Sequence, residues 1–129
     1  MKCLVVDDSS ITRRILVNSL RQMGFLDILE ATDGRHALEV CTADVDIVLT
    51  DWNMPVMAGV ELVRSLRARP DLAGIPVLLV TSRNAKDDVI EAAAAGVNGY
   101  IVKPFQPEVL RQKLSELLSP PEAATGTDG

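Results

Sequence analysis

Residues 47–55 read IVLTDWNMP, an apolar run that ends abruptly in an acid. The run Ile47–Thr50 is apolar on both of the faces that a strand presents. This is typical of a central strand in a parallel sheet, because helices cover both faces of such a sheet. The pattern therefore predicts an α/β protein whose buried central strand delivers Asp51 to the edge of the sheet.

Short apolar runs alternate with amphipathic segments along the rest of the chain. The other predicted strands are Cys3–Val6, Ile28–Ala31, Pro76–Val80 and Tyr100–Val102. The predicted helices begin at Ile11 and just after Asp33, and occupy Val60–Ala68, Lys86–Ala95 and Pro107–Leu118. This alternation indicates a doubly wound (βα)5 parallel sheet with helices on both faces. We expect the flavodoxin-like strand order 2-1-3-4-5.

Two of these helices have apolar residues whose helical spacing places them on one face of the helix. In the first helix the face consists of Ile11, Ile15, Leu16, Leu20 and Met23. In the fourth helix it consists of Val89, Ile90, Ala93 and Ala94. Ser9 or Ser10 is the expected N-cap of the first helix, since a serine oxygen can accept a free N–H of the first turn.

The length of 129 residues predicts one domain. Residues 1–118 account for all five strands and helices. Residues 119–129 read SPPEAATGTDG, which lacks apolar periodicity, so we expect a disordered tail there.

The composition disfavours several classes of function. Thirteen basic against 18 acidic residues give a net charge of −5, and only four residues are aromatic, so binding of nucleic acid is not expected. Two cysteines and one histidine are too few for an ordinary structural zinc site. The sequence contains neither a membrane span nor a signal-peptide core, and we expect a cytoplasmic protein without membrane insertion.

Polar residues follow four of the predicted strands, at the point where each strand ends. They are Asp7 and Asp8 after strand 1, Asp51 after strand 3, Thr81 after strand 4 and Lys103 after strand 5. Ligands of open α/β sheets bind beyond the carboxyl ends of the strands, where strands 1 and 3 would be neighbours. Helix capping explains a single strand-end acid, and we assign that role to Asp33, but it does not explain this whole set.

The chemistry of the set favours phosphoryl transfer with a divalent cation. Three adjacent carboxylates repel one another, and Mg²⁺, or Mn²⁺ in its place, is the natural compensating ion. A hydroxyl and an ammonium complete a site for a phosphoryl group, and an aspartate can itself be the nucleophile. Asp7 and Asp8 share a loop and suit the metal, whereas Asp51 stands alone and is the better nucleophile.

Four segments resemble the receiver domain of two-component response regulators: LVVDDSS, LTDWNMPVMAGVEL, VLLVTS and GYIVKPF. The resemblance runs from about residue 2 to residue 118 and is greatest to the single-domain chemotaxis regulators of that family. It implies that Asp51 is the phosphorylated aspartate. It also implies that Asp8 binds Mg²⁺ directly, that Asp7 does so through water, and that Asn53 contributes its backbone carbonyl.

The resemblance implies roles for the other strand ends as well. Thr81 would be the switch hydroxyl that bonds the phosphoryl group, and Lys103 would pair with a phosphoryl oxygen. The peptide between Lys103 and Pro104 would be cis. Tyr100 would change its rotamer together with Thr81, and the face of helix 4, strand 5 and helix 5 would then change its affinity for a partner.

Three residues beside the site are expected to modulate it. Ser82 is small and would permit access of the phosphoryl group. Arg83 is basic at a position where the resembled chemotaxis regulators often carry an acid, and it would influence dephosphorylation. We expect Trp52 to be partly exposed beside the site and to report binding by its fluorescence; simple packing of its ring on the loop is the alternative.

The implied partners are a histidine kinase as phosphoryl donor, a phosphatase, and a downstream protein for which the flagellar motor switch is the first candidate. The implied protein is a monomeric switch that catalyses only its own phosphorylation and slow autodephosphorylation. A phosphorelay intermediate and an isolated receiver of a larger regulator remain alternatives. A dehalogenase-type hydrolase is disfavoured by Asn53 where a second acid is needed, and an FMN protein by the charge of Asp7 and Asp8. A phosphorylation-independent interaction module is disfavoured because it needs no such complete set.

Overall fold

The central strand lies where the sequence predicts it, in a computed structural model that describes residues 1–118. The strands are β1 (Lys2–Val6), β2 (Asp27–Ala31), β3 (Ile47–Thr50), β4 (Val77–Thr81) and β5 (Gly99–Val102). The helices are α1 (Ser10–Gln22), α2 (Gly34–Val40), α3 (Gly59–Ala68), α4 (Lys86–Ala95) and α5 (Pro107–Leu118). The expected tail at 119–129 lies outside the described residues. Within residues 1–118, no helix is long and apolar enough to cross a membrane.

The five strands form one parallel sheet in the order β2-β1-β3-β4-β5, which confirms the predicted topology. Val6 of β1 is in register with Thr50 of β3, and each of these residues is followed directly by an acid. The Asp51 N–H also donates to the Val6 carbonyl at 3.0 Å, so the pairing continues to the site. The register therefore brings the ends of β1 and β3 together at one edge of the sheet.

Two apolar layers cover the two faces of the sheet. Alternate residues of β1 point to opposite layers, since Leu4 and Val6 belong to one cluster and Cys3 and Val5 to the other. The first cluster receives side chains from α2, α3 and α4, and the second from α1 and α5. All of these β1 residues are fully buried, which holds the strand ends in fixed positions.

The predicted boundaries of β3, α4 and α5 are confirmed. β2 and β5 each begin one residue earlier than expected. β4 runs from Val77 to Thr81 rather than from Pro76 to Val80, since Pro76 has no N–H for the ladder and instead offers its carbonyl to the Val48 N–H. Thr81 is therefore the last residue of the strand. Ser9, one of the two expected N-caps, caps α1 by accepting the Thr12 N–H.

The apolar face of α1 is not buried in its first turns. Ile11 and Ile15 are 74% and 56% exposed, and the buried residues are Leu16, Val17 and Leu20. Helical spacing gives the angular position of a side chain but not the extent of the neighbouring elements. Ile15 instead lines an open groove with Phe105 of the loop before α5.

The apolar face of α4 also stays largely on the surface. Ala92 and Ala95 are its buried residues, whereas Val89 and Ile90 are 42% and 57% exposed. The small side chains face inward because they let α4 approach the first apolar layer closely. The larger apolar residues of α4 are consequently left on the surface.

Candidate functional site

One ammonium joins two acids at the carboxyl edge of the sheet. Lys103 Nζ donates to Oδ2 of Asp51 at 2.9 Å and to Oδ2 of Asp7 at 3.2 Å. These three residues directly follow β5, β3 and β1. The Lys103 N–H donates to the Thr81 carbonyl at 2.9 Å, and the peptide that leads to Pro104 is cis, as expected. The backbone on both sides of Lys103 thus directs its side chain across the sheet edge.

Asp7 is the most deeply buried acid of the site. Its side chain is 1% exposed, and its Oδ1 accepts the Ser9 N–H at 2.9 Å. Burial raises the pKa of the Asp7 carboxyl, and the bonds from Ser9 and Lys103 offset only part of that effect. Burial lowers the pKa of the Lys103 ammonium, but the bond to Asp51 and the two negative charges outweigh it and give a raised pKa. The lysine is therefore charged at neutral pH.

The acceptor candidate, Asp51, is held by the loop that follows it. Its Oδ1 accepts the Trp52 N–H at 2.6 Å, which leaves Oδ2 for Lys103. The loop returns to the strand end because the Gly59 N–H donates to the Trp52 carbonyl at 2.8 Å. A Cβ at position 59 would overlap the Asp51 carbonyl oxygen, so only glycine fits there. Gly59 is thus a residue of the site to which the sequence analysis assigned no role.

The three predicted metal-binding acids are not all brought together. Asp7 and Asp51 share Lys103, whereas Asp8 is exposed. Within residues 1–118, no three side chains of Asp, Glu, His or Cys form a group that could hold a metal ion. The ammonium of Lys103 supplies part of the compensating charge that the sequence analysis assigned to a cation. The available donors are nevertheless the carboxylate oxygens of Asp7 and Asp51, a donor type that fits Mg²⁺.

The switch candidates lie next to this cluster. Thr81 is fully buried, and its Oγ1 accepts the Arg83 N–H at 3.3 Å. The half-buried Tyr100 donates its hydroxyl to the Arg83 carbonyl at 2.7 Å, and burial raises the pKa of that hydroxyl. Ser82 is exposed and lines the apolar groove that also contains Lys103 and the exposed Pro104. Thr81 and Tyr100 are thus both bonded to the backbone of one residue.

The expectation that Trp52 is partly exposed is wrong. The residue is 5% exposed and belongs to the first apolar layer. Its ring packs inward because the loop folds back through the Gly59 bond, and the Arg83 guanidinium lies 4.5 Å from the ring centroid. The same guanidinium donates hydrogen bonds to Asn53 and Asp88, and no sequence pattern indicated these contacts.

Comparison with known proteins agrees with this geometry. The family model of the response regulator receiver domain matches residues 3–115. A Chemotaxis protein CheY homolog of Campylobacter jejuni is 50% identical over 120 residues, covering 92% of each chain. Chemotaxis protein CheY of Pseudomonas aeruginosa is 49% identical over 118 residues, covering 91% of this chain and 95% of that one. The structure of CheY4 of Vibrio cholerae superposes with a TM-score of 0.82 at 35% identity, covering 91% of this chain and 98% of that one.

Proposed function

The chain belongs to the response regulator receiver family, and on that premise we propose that it accepts a phosphoryl group from a histidine kinase on Asp51. The observation that carries the proposal is the contact of Lys103 Nζ with Oδ2 of Asp51, at 2.9 Å and next to the buried Asp7. The Asp51 side chain is 14% exposed, so a donor can reach it. The similarity of the chain to CheY proteins favours a role in chemotaxis signalling.

In the proposed reaction the carboxylate of Asp51 attacks phosphorus. The bond from phosphorus to the imidazole of the kinase breaks, and an acyl phosphate forms on Asp51. Lys103 stays charged beside the new phosphoryl oxygens and stabilises them, and the Thr81 hydroxyl donates a hydrogen bond to them. No general base is needed, because a carboxylate nucleophile has no proton to lose when it attacks.

Mg²⁺ fits the donor set, and Mn²⁺ is the alternative ion. We assign it to Asp8 and Asp51, to Asp7 through water, and to the Asn53 carbonyl. When bound, the ion supplies positive charge that neutralises the phosphoryl oxygens. The high burial of Asp7 supports this assignment, because one ammonium only partly offsets the cost of two adjacent carboxylates.

Phosphorylation is proposed to act as a switch. New bonds to Thr81 would shift the Thr81–Arg83–Tyr100 arrangement and change the face formed by α4, β5 and α5. That face would bind a downstream protein, with the flagellar motor switch as first candidate, and a phosphatase would reset it. Residues 1–118 would form the complete, monomeric receiver, whose own chemistry is limited to phosphorylation and slow autodephosphorylation.

The test uses acetyl phosphate as donor and the intact protein mass as readout. Wild type with Mg²⁺ should gain one phosphoryl group, and Asp51→Asn should gain none. Asp71→Asn is the matched control, since Asp71 is an exposed acid whose ion pair with Arg69 is 3.9 Å long. Unchanged labelling of Asp51→Asn would refute the assignment. In a titration of metal binding, Asp8→Ala should weaken the affinity for Mg²⁺, and equal affinity would contradict its role.

A further inference from the structure

The side chain of Arg83 contacts two segments that are distant from each other in the sequence. Nε and Nη2 donate to Oδ1 of Asn53 at 3.1 and 3.0 Å, in the loop that follows Asp51. Nη1 donates to Oδ1 of Asp88 at 3.2 Å, in the first turn of α4. The planar group also covers the ring of the buried Trp52. One guanidinium therefore connects α4 to the loop of residues 51–58, which we call the acceptor loop.

The backbone of Arg83 makes two further contacts with the switch candidates. Its N–H donates to Oγ1 of Thr81 at 3.3 Å, and its carbonyl accepts the hydroxyl of Tyr100 at 2.7 Å. Among the described residues, Arg83 thus contacts the acceptor loop, Thr81, Tyr100 and α4. A movement of any one of these segments must either break a contact of Arg83 or carry Arg83 along.

Each side-chain contact of Arg83 is weak alone. The carboxylate of Asp88 is 22% exposed and the Arg83 side chain is 39% exposed, so solvent screens the ion pair. The contacts act together because a rigid planar fork makes them simultaneously, and a lysine has only a single point of charge. The arrangement is therefore cooperative and sensitive to the identity of residue 83.

We propose that Arg83 is a positioning residue of the switch, which transmits a change at Asp51 to the first turn of α4 through Asn53 and Asp88. This inference rests on the proposed phosphorylation of Asp51. The route runs through the side chain of Arg83, in addition to the route from Thr81 to Tyr100 through its backbone.

Hydrogen exchange of the α4 amides at residues 86–90 tests the route, with Mg²⁺ and beryllofluoride as the probe. In wild type, we expect the probe to change these exchange rates by about fivefold, the lower end of ordinary coupling between sites. In Arg83→Met the change should fall below about twofold. The matched control is Arg64→Met, because Arg64 also contacts α4, at 3.9 Å from Glu91, but does so from α3.

Uptake of the probe is scored separately by the fluorine signal of bound beryllofluoride. If wild type takes up none, the proposed function fails. If all variants take it up and Arg83→Met keeps the full α4 response, the role of Arg83 is overturned. Arg83→Lys should restore only part of the response. Should Arg83→Met not fold, Asp88→Ala decides, since it removes the acceptor on α4 and retains the contacts with Asn53 and Trp52; an unchanged response there also overturns the proposal.

Discussion

The ammonium of Lys103 lies 2.9 Å from Oδ2 of Asp51, a residue 52 positions earlier in the chain. The same ammonium is 3.2 Å from the buried carboxylate of Asp7. One positive charge thus stabilises two acids that would otherwise face each other. Because the pKa of Lys103 is raised, this contribution to stability is complete at neutral pH and is lost only as the pH rises through that raised pKa.

Lys103→Met should lower the free energy of unfolding. The variant leaves the carboxylates of Asp7 and Asp51 together without a counter-charge, which we expect to cost about 2 kcal/mol at pH 7. Urea denaturation in EDTA measures the loss. Lys113→Met is the control, since the pair of Lys113 with Glu116 is exposed and 3.7 Å long. An equal effect of the two substitutions would contradict the central role of Lys103.

Asp7→Asn should stabilise the metal-free protein. Burial raises the pKa of Asp7, so the folded state holds that proton more tightly than the unfolded chain does. The free energy of unfolding of wild type therefore falls as the pH rises above about 4 and until it passes the raised pKa. The amide variant does not ionise and escapes this loss, and its gain at pH 7 should be on the order of 1 kcal/mol.

The pH dependence of this gain distinguishes ionisation from a packing effect. Urea denaturation in EDTA between pH 4 and pH 7 should show the difference between wild type and Asp7→Asn growing with pH. Asp27→Asn, at an exposed acid that begins β2 away from the site, provides the baseline for the comparison. A gain that is constant over this range would exclude ionisation of Asp7 as its cause.

The strand ends could be predicted because the alternation of apolar runs and polar residues is a local property of the sequence. Strand alternation placed Asp7, Asp51, Thr81 and Lys103 at one edge, and the structure confirms that placement. The same local signals were insufficient for Ile15, which is exposed, since burial depends on how far the neighbouring helix extends.

The contacts of Trp52 and Arg83 could not be predicted for a related reason. Nothing in the spacing of these residues indicates that a loop will fold back and bury the indole. The close contact between Gly59 and the Asp51 carbonyl determines this, and it depends on the position of α3 relative to β3. Sequence patterns thus indicate which chemical groups form the site, whereas the packing of the loops determines which residues surround it.

Val56→Asn should raise the free energy of unfolding. Val56 has φ of 68°, a left-handed conformation that is unfavourable for a β-branched residue, and its side chain is 74% exposed. It is the centre of a tight turn in which the Met57 N–H donates to the Pro55 carbonyl at 2.7 Å. Asparagine tolerates positive φ, so we expect a gain of about 1 kcal/mol in urea denaturation. Val109→Asn, an exposed valine in α5, should give no gain, and equal gains would refute the explanation by strain.

Arg67→Met should destabilise the fold strongly. The guanidinium donates to the carbonyls of Gly96, Ala73 and Ile75 at distances between 2.7 and 3.2 Å, and to Oδ1 of Asn98 at 2.7 Å. It thereby joins α3 to the segments before β4 and β5, and its burial lowers its pKa. Methionine fills part of the space but leaves the carbonyls without their donors. We expect a loss of about 3 kcal/mol.

Arg64→Met is the matched control for Arg67, one turn earlier on the same helix. Arg64 is exposed, and its contact with Glu91 is 3.9 Å long, so its removal should cost less than about 0.5 kcal/mol. Urea denaturation of the two variants at pH 7 measures the difference. Arg67→Lys should recover little of the loss, because one ammonium cannot reach carbonyls on two segments at once. If Arg67→Lys matched wild type, charge alone and not the planar set of donors would explain the contribution of Arg67.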